Sequence, residues 1–205
     1  MTDTAVEKTL AALEALADHP RITDIAGKVL RPVDTVERAR PALRALQRST
    51  RCTVHLAVLF GDELVYVDKI EADKPYRMAS RLGTSLPAHG TAIGKAVLAS
   101  LPESDLDAYL SRTGLPGRTP HTITSSPRLK AQLTRVRRSR FALDDEENEV
   151  GVRCVGAAVR DHAGTVIGGL SASSLALEHS LPELIALGPR VLRAADEVSA
   201  ALGWS

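Results

Sequence analysis

The sequence predicts an α+β domain whose antiparallel sheet is flanked by helices, with a small, partial all-α region before it. Two observations carry this prediction. Alternating apolar segments come in pairs joined by short polar turns, and segments with apolar residues three and four positions apart separate these pairs. Hairpins interleaved with helices are typical of an α+β architecture.

Length and composition describe a globular protein without a general affinity for polyanions. The 205 residues suffice for one large core, or for one core with a small appendage. The formal net charge is only +1, so any contact with nucleic acid must be local. No apolar run reaches the ~20 residues that cross a membrane, and the first residues lack the pattern of a secretory signal. We therefore expect a cytoplasmic protein with no membrane partner.

Helical signals dominate the first 40 residues. Thr4 and Glu7 have the spacing of a capping box, and apolar residues at helical spacing follow until Pro20. We expect a second short helix over Ile22–Val29, which Pro32 ends. Two short helices separated by a tight turn are typical of the start of a helix-turn-helix unit.

Two hairpins are predicted further along the chain. The first pairs Thr53–Phe60 with Glu63–Ile70, and the second pairs Val152–Val159 with Thr165–Ser173. The predicted helices are Ile93–Ser100, a helix capped by Ser100-Leu-Pro-Glu103 that runs through Leu110, a helix started by Ser126-Pro127, and a final helix with the apolar stripe Leu184, Leu187, Val191 and Val198. The pattern Ser-Leu-Pro-Glu precedes two of them and predicts a cap at Ser100 and at Ser180.

Two segments have compositions that favour a binding site. Asp144–Cys154 concentrates five carboxylates and an amide directly before an apolar strand, where like charges repel. A solvated acidic loop is the alternative. Leu86–Ala99 places small residues where a loop becomes a helix, which exposes backbone N–H groups that can hold a small anion.

Four segments, in this order and spacing, resemble the effector-binding domain of IclR-type bacterial transcriptional regulators. They are Val65–Lys69, Leu86–Ala99, Asp144–Cys154 and Gly168–Ser173, within a resemblance that covers about residues 45–203. The resemblance implies a GAF-like sheet with helices on both sides, a small-molecule effector, and double-stranded operator DNA as a partner. It divides the chain into a partial helix-turn-helix, 1–40, and an effector-binding domain, 41–205.

The resemblance also implies which residues bind the effector. The apolar lining would be Met78, Leu86, Ala88 and Val152, the backbone donors Ala92 and Ile93, and the polar side chains Asp144, Cys154, Ser171 and Ser173, with His89 as a further candidate. Each apolar residue has ordinary core packing as its alternative, and His89 has a hydrogen bond to the backbone. Ser171 and Ser173 share one strand face, so they reach the pocket together or not at all. A small carboxylate or a hydroxylated molecule is the expected ligand.

The segment after Pro32 fits two interpretations by comparison with this family. It resembles the start of a recognition helix, with Thr35 and Arg38 facing DNA. It equally resembles the linker that enters the effector domain. In both cases the hairpin that forms a wing is absent, and several tens of residues of the family pattern are missing. Apolar stripes on residues 4–17 and 35–48 predict a homo-oligomer, a dimer or a tetramer.

The sequence offers no recognised catalytic or cofactor motif. A Gly-x-Ser-x-Gly elbow, a phosphate-binding loop, a His-Glu-x-x-His pair and a Rossmann glycine pattern are all missing. The two cysteines, Cys52 and Cys154, lack metal-ligand spacing and are expected to be buried. We expect no catalytic residue, no metal and no cofactor. A thiol enzyme built from Cys154, His89, Asp144 and Lys95 is the least favoured alternative, after a ligand-binding module that does not bind DNA.

Overall fold

The computed structural model describes the backbone of residues 20–204 and the side chains of residues 34–204. The chain divides into two units, Met1–Glu37 and Arg38–Ser205. The helix predicted over residues 4–17 lies outside the described residues, and the second unit contains all the strands described below.

The first described element is a single long helix, α1, which spans Pro20–Thr50. The prediction of a short helix that ends at Pro32 is therefore wrong. A proline removes one backbone hydrogen bond and tends to bend a helix, but the helix continues where the other bonds and the packing suffice. Farther along α1, Ala39, Leu43 and Leu46 are buried within the chain. This part of the predicted 35–48 stripe is therefore already covered.

Six antiparallel strands form one sheet in the order β3-β2-β1-β6-β5-β4. They are β1 (Thr53–Phe60), β2 (Glu63–Ile70), β3 (Ser85–Leu86), β4 (Ala142–Asp145), β5 (Val152–Arg160) and β6 (Val166–Leu175). Both predicted hairpins are confirmed, as β1–β2 and β5–β6, and β1 pairs with β6 to join them. The short edge strands β3 and β4 were not predicted, because two and four residues are too few to show an alternating pattern.

Five further helices follow the first hairpin. They are α2 (Ala92–Leu98), α3 (Glu103–Thr113), α4 (Ser126–Ser139), α5 (Leu181–Ala186) and α6 (Gly188–Ala201). The final predicted helix is thus two helices, which meet at Leu187. Pro189 explains the break, since it has no backbone N–H to donate to the preceding turn and is favoured only in the first turn of a helix. Gly188 fits beside Phe141, because a Cβ at this position would lie 2.5 Å from the ring.

The two Ser-Leu-Pro-Glu segments adopt different structures. At α5, Ser180 and Glu183 form the predicted capping box. At α3, the cap residue is Pro102, and the Ser100 hydroxyl donates to the carbonyl of Ala96 instead. At Ser100 the hydroxyl is engaged with the end of α2, which directly precedes it, and so it does not cap α3.

The core lies between the antiparallel sheet and the helices that pack on it. The predicted α+β class with an antiparallel sheet is therefore confirmed. Helix α2 packs on β5 and β6 and contacts α4, while α6 packs on β5 and β6. The main apolar cluster joins α2, α3 and α4 to the sheet through residues such as Ile93, Leu106 and Leu133. None of the described helices has the length and apolar content required to cross a membrane.

Candidate functional site

Two rows of small and polar side chains cross one face of the sheet. Antiparallel pairing aligns Asp144 on β4 with Cys154 on β5, and Cys154 with Ser173 on β6. In the second row, two residues before Ser173 on β6, Ser171 lies between Gly156 on β5 and His55 on β1. Because side chains alternate along strands, Cys154 and Gly156 share a face, as do Ser171 and Ser173. The rows place these groups side by side although they are distant in sequence.

A cavity of about 310 Å³ opens above these rows. Its floor is the sheet, one wall is the start of α2, and the segment 78–87 and the turn after β4 form the rest. Cavities of this size hold small organic molecules. Its lining combines apolar side chains with hydroxyl, carboxyl, amide and guanidinium groups.

The start of α2 presents backbone donors to the cavity. The side chain of Thr91 caps the helix by accepting a bond from the Gly94 amide, at 3.2 Å. The amides of Ala92 and Ile93 have no hydrogen-bond acceptor in the described part of the chain. Gly156 lies directly beneath, where a Cβ would be 2.9 Å from the Ile93 nitrogen. A glycine is therefore needed on β5 for the helix start to approach the sheet.

Asp144 is the buried acid of the cavity. Its side-chain carboxyl accepts bonds from the backbone amides of Glu147, at 2.8 Å, and Asn148, at 3.3 Å. Burial raises the pKa of Asp144 to about 7, although the nearby Lys95 charge and the two amides oppose the shift. Near neutral pH this carboxyl can therefore act as a hydrogen-bond donor or as an acceptor.

A buried ion pair supports the turn that carries Asp144. Lys95 on α2 is fully buried and its Nζ lies 2.5 Å from Oε1 of Glu147. The carbonyl of Glu147 also accepts a bond from the Thr122 hydroxyl, at 2.6 Å. These contacts fix the acidic turn against α2, so the segment is not the solvated loop that its charge alone favours.

His55 closes the cavity from the β1 side. Its ring nitrogens lie 2.7 Å from the Ser80 hydroxyl and 3.3 Å from the Ser173 hydroxyl, and its ring packs on Tyr66. Burial, and to a lesser extent the charge of Lys69, lowers the pKa of His55 to about 3. The ring is therefore neutral at physiological pH. It positions the Ser173 hydroxyl through a hydrogen bond that involves no charge.

The structure brings most of the predicted effector-binding residues together. Those that line the cavity are Met78, Leu86, Ala92, Ile93, Asp144, Val152, Cys154, Ser171 and Ser173. Ala88 and His89 do not line it. Ala88 is packed beneath α2, since a Cβ on Gly94 would lie 2.2 Å from its Cα. His89 bonds the Pro116 carbonyl at 3.0 Å, which is the backbone alternative.

Several lining residues were missed from the sequence. Arg118, Asn148 and Glu149 come from loops, where no periodic pattern marks a direction, and His55 and Tyr66 come from the first hairpin. The guanidinium of Arg118 donates to the carbonyl of Asn148, at 3.3 Å, which places a positive charge at the cavity. His55 was detectable, because a lone histidine on the inward face of a strand needs a polar partner.

The two residues expected to contact DNA lie within α1. Thr35 is buried, and Arg38 donates from Nη1 to the carbonyl of Ala201 at 3.2 Å. A buried hydroxyl does not favour a contact with DNA. The role of both residues stays a prediction.

Comparison with known proteins identifies the family of this fold. The family model described as "Bacterial transcriptional regulator IclR C-terminal" matches residues 27–200. The chain belongs to this family. The transcriptional regulator XynR of Escherichia coli is 39% identical over 176 residues, which is 86% of this chain and 70% of XynR. The chain spans 50% of the regulator KdgR from Dickeya chrysanthemi, at 39% identity over 75% of the chain.

Solved structures of the family have the same fold. The Thermotoga maritima IclR structure has a TM-score of 0.81 at 35% identity, covering 90% of this chain and 74% of that one. The inducer-binding domain of PobR from Acinetobacter, a double mutant in complex with 3-hydroxybenzoic acid, has a TM-score of 0.72 at 30% identity. That match covers 78% of this chain and 95% of the PobR domain. The α+β effector-domain fold that the family resemblance implied is confirmed.

Proposed function

We propose that the cavity binds a small organic effector and that the chain is the effector-sensing part of an IclR-type regulator of transcription. One observation carries the proposal. Nine residues that the family resemblance implies as effector ligands, from five separate segments of the chain, line one cavity of about 310 Å³. The complete regulator would bind double-stranded operator DNA in the cytoplasm, and the effector would change that binding.

The chemistry of the lining favours a ligand that carries a carboxylate and at least one hydroxyl group. The unpartnered amides of Ala92 and Ile93 and the guanidinium of Arg118 are donors for an anion. Ser171 and Ser173 suit hydroxyl groups on the opposite side. The 3-hydroxybenzoic acid bound by the PobR domain combines a carboxylate with a hydroxyl, which supports this class of ligand.

The arrangement does not favour the thiol-enzyme alternative. Burial raises the pKa of the Cys154 thiol well above its usual value, and the nearby Asp144 charge adds to the shift, so the thiolate form is suppressed. His89 bonds a backbone carbonyl away from the cavity, and Lys95 is paired with Glu147. The nucleophile and base that such an enzyme needs are therefore not assembled.

Calorimetry with a panel of small hydroxylated carboxylates, including 3-hydroxybenzoate, tests the proposal. Once a ligand is found, Ser171→Ala with Ser173→Ala should weaken its binding by about 1 to 3 kcal/mol, because both hydroxyl bonds are lost. The matched control is Ser104→Ala on the exposed surface of α3, which should bind as the wild type does. Equal affinity in the double variant would place the ligand elsewhere.

The DNA partner is tested separately by gel shift with operator-containing DNA fragments. The 205-residue chain should bind weakly and with a shallow salt dependence, because its net charge is only +1. A form joined to a complete winged helix-turn-helix should bind specifically and respond to the effector. Effector binding without any DNA binding by either form would favour a ligand-binding module that does not bind DNA.

A further inference from the structure

A second, smaller cavity lies at the end of β5, away from the proposed effector cavity. Its volume is about 140 Å³, and it is lined by residues from α2, the end of α4, β5 and α6. Three of its lining residues are arginines, Arg137, Arg140 and Arg160, and none is acidic. None of its lining residues lines the effector cavity.

The three guanidinium groups are held in place but are incompletely bonded. Arg137 donates from Nε to the carbonyl of Ala99, at 2.9 Å, and Arg160 donates from Nη1 to the carbonyl of Gly164, at 2.8 Å. Arg140 pairs with Asp196 at 2.7 Å. A guanidinium has five donors, and among the described residues no carboxylate pairs with Arg137 or Arg160. The cavity therefore holds an excess of positive charge and of unused N–H groups.

Compensation of a helix dipole explains only part of this cluster. Arg137 stands in the last turn of α4, where a cation is favourable. Arg160 comes from a strand, and no helix end accounts for its side chain at the same cavity. Arg140 adopts a left-handed conformation with φ of 62°, a position where glycine is usual. Arginine in this conformation gives a less stable helix end than glycine would. It contributes a third positive charge to the cavity.

We infer that this cavity binds a small oxyanion, an inorganic phosphate or the phosphoryl group of a small metabolite, with Arg137 and Arg160 as its main ligands. The forked donors of a guanidinium match two phosphate oxygens, and the anion neutralises the repulsion among the three like charges. The volume of about 140 Å³ is large enough for one such group. The Ser100 hydroxyl at the same cavity is a further polar contact.

Titration of the chain with inorganic phosphate, against sodium chloride at matched ionic strength, tests this inference. Phosphate should raise the melting temperature of the wild type in a saturable way, and the increase should exceed that given by chloride. In Arg137→Gln with Arg160→Gln the dissociation constant for phosphate should rise at least tenfold. The control Arg138→Gln removes an exposed charge from the same helix turn outside the cavity, and it should bind phosphate as the wild type does.

Chemical protection provides a measurement that does not depend on the folding of a variant. An arginine-specific dicarbonyl reagent should modify Arg137 and Arg160 of the wild type more slowly when phosphate is present, while Arg138 reacts at the same rate. Peptide mapping by mass spectrometry gives these rates. Equal protection of Arg138 would show general screening by salt and would overturn the inference.

Two further outcomes bear on the source of the phosphate. A sugar phosphate that competes with inorganic phosphate would support a metabolite site. Duplex DNA that displaces phosphate and depends equally on Arg137 and Arg160 would show instead a surface for polyanions, and the small-ligand inference would fail. A wild type that responds to phosphate no more than to chloride would also overturn it.

Discussion

Asp144 gives the protein a titratable group at the centre of its proposed effector cavity. Burial raises the pKa of Asp144 to about 7, whereas an aspartate in the unfolded chain titrates near 4. Between these values the native state holds a proton that the unfolded chain has released. The free energy that this proton contributes is fully present below about pH 4 and is lost as the pH rises through about 7.

Asp144→Asn should therefore weaken the pH dependence of stability. From about pH 5 to about pH 8, the free energy of unfolding of the wild type should fall by on the order of a few kcal/mol more than that of the variant. Urea unfolding at the two pH values measures this difference. The control is Asp145→Asn, which removes a half-exposed carboxylate paired with Arg153 and should keep the wild-type slope. Parallel slopes in wild type and Asp144→Asn would contradict the prediction.

Replacing Lys95 tests what it costs to leave its partner Glu147 buried and unpaired. Lys95→Met should lower the free energy of unfolding by about 3 to 5 kcal/mol, because Glu147 would remain buried without its partner. Lys130→Met is the control, since its ion pair with Asp107 lies at the surface, where water screens the attraction, and its loss should lower the free energy of unfolding much less. Chemical denaturation compares the two. Adding Glu147→Gln to Lys95→Met should recover part of the loss.

At the scale of elements, α2 is fixed by backbone contact with the loop before it. A Cβ on Gly94 would lie 2.2 Å from Cα and 2.3 Å from the carbonyl oxygen of Ala88. Glycine to alanine within a helix normally stabilises by about 1 kcal/mol. Here Gly94→Ala should destabilise by at least about 1 to 3 kcal/mol, because the backbone must separate.

Gly90→Ala is the matched control for Gly94→Ala. It adds the same methyl group four residues earlier, at an ordinary 3.7 Å from the Glu147 carbonyl oxygen, and should change the melting temperature little. Thermal unfolding of both variants decides the matter. If both variants change the melting temperature equally, Gly94 is not required for the close packing of α2 on the loop.

The sequence predicted those elements whose pattern is local. Both long hairpins and the helices α2, α3 and α4 follow from periods of two and 3.6 residues, with ends within a few residues of those observed. The break at Leu187 was missed although its cause is local, because Pro189 lies inside an apolar stripe that continues on both sides of it. The helix across Pro32 was missed because a proline usually ends a helix, and helix propensity is only a weak guide.

The same distinction applies to the site. Ser171 and Ser173 could be predicted to share a face from strand alternation, and family resemblance supplied most of the other lining residues. Ala88 does not line the cavity, and the sequence gives no sign of this, because the close approach of its backbone to Gly94 is a tertiary contact. The loop residues Arg118 and Asn148 reach the cavity through long-range packing, which a single sequence does not encode in any pattern.

At the scale of the whole molecule, self-association stays a prediction. The structure removes one of the two apolar stripes on which that prediction was based. The stripe on residues 35–48 is in large part covered, since Ala39, Leu43 and Leu46 are buried within the chain. A dimer driven by apolar stripes must then depend on residues 4–17. Leu10→Glu with Leu13→Glu should therefore convert a dimer to a monomer, as measured by light scattering.

Leu177→Glu is the control for this experiment. Leu177 is 98% exposed, so a charge there should leave both the fold and the dimer unchanged. A dimer that dissociates in Leu177→Glu but persists in the Leu10 and Leu13 variant would move the interface to the turn after β6. A wild type that is monomeric at micromolar concentration would contradict the prediction itself.

The contact between Arg160 and Gly164 has a spectroscopic consequence. Trp204 is the only tryptophan of the chain, and a Cβ on Gly164 would lie 3.8 Å from its indole nitrogen. The Gly164 carbonyl accepts the bond from Arg160, so an anion bound by Arg160 would alter the electric field at the indole ring. Phosphate should shift the intrinsic fluorescence of the protein, whereas an effector in the larger cavity should leave the emission unchanged. Trp204 would then report occupancy of the arginine-lined cavity and not of the effector cavity, without any label or substitution.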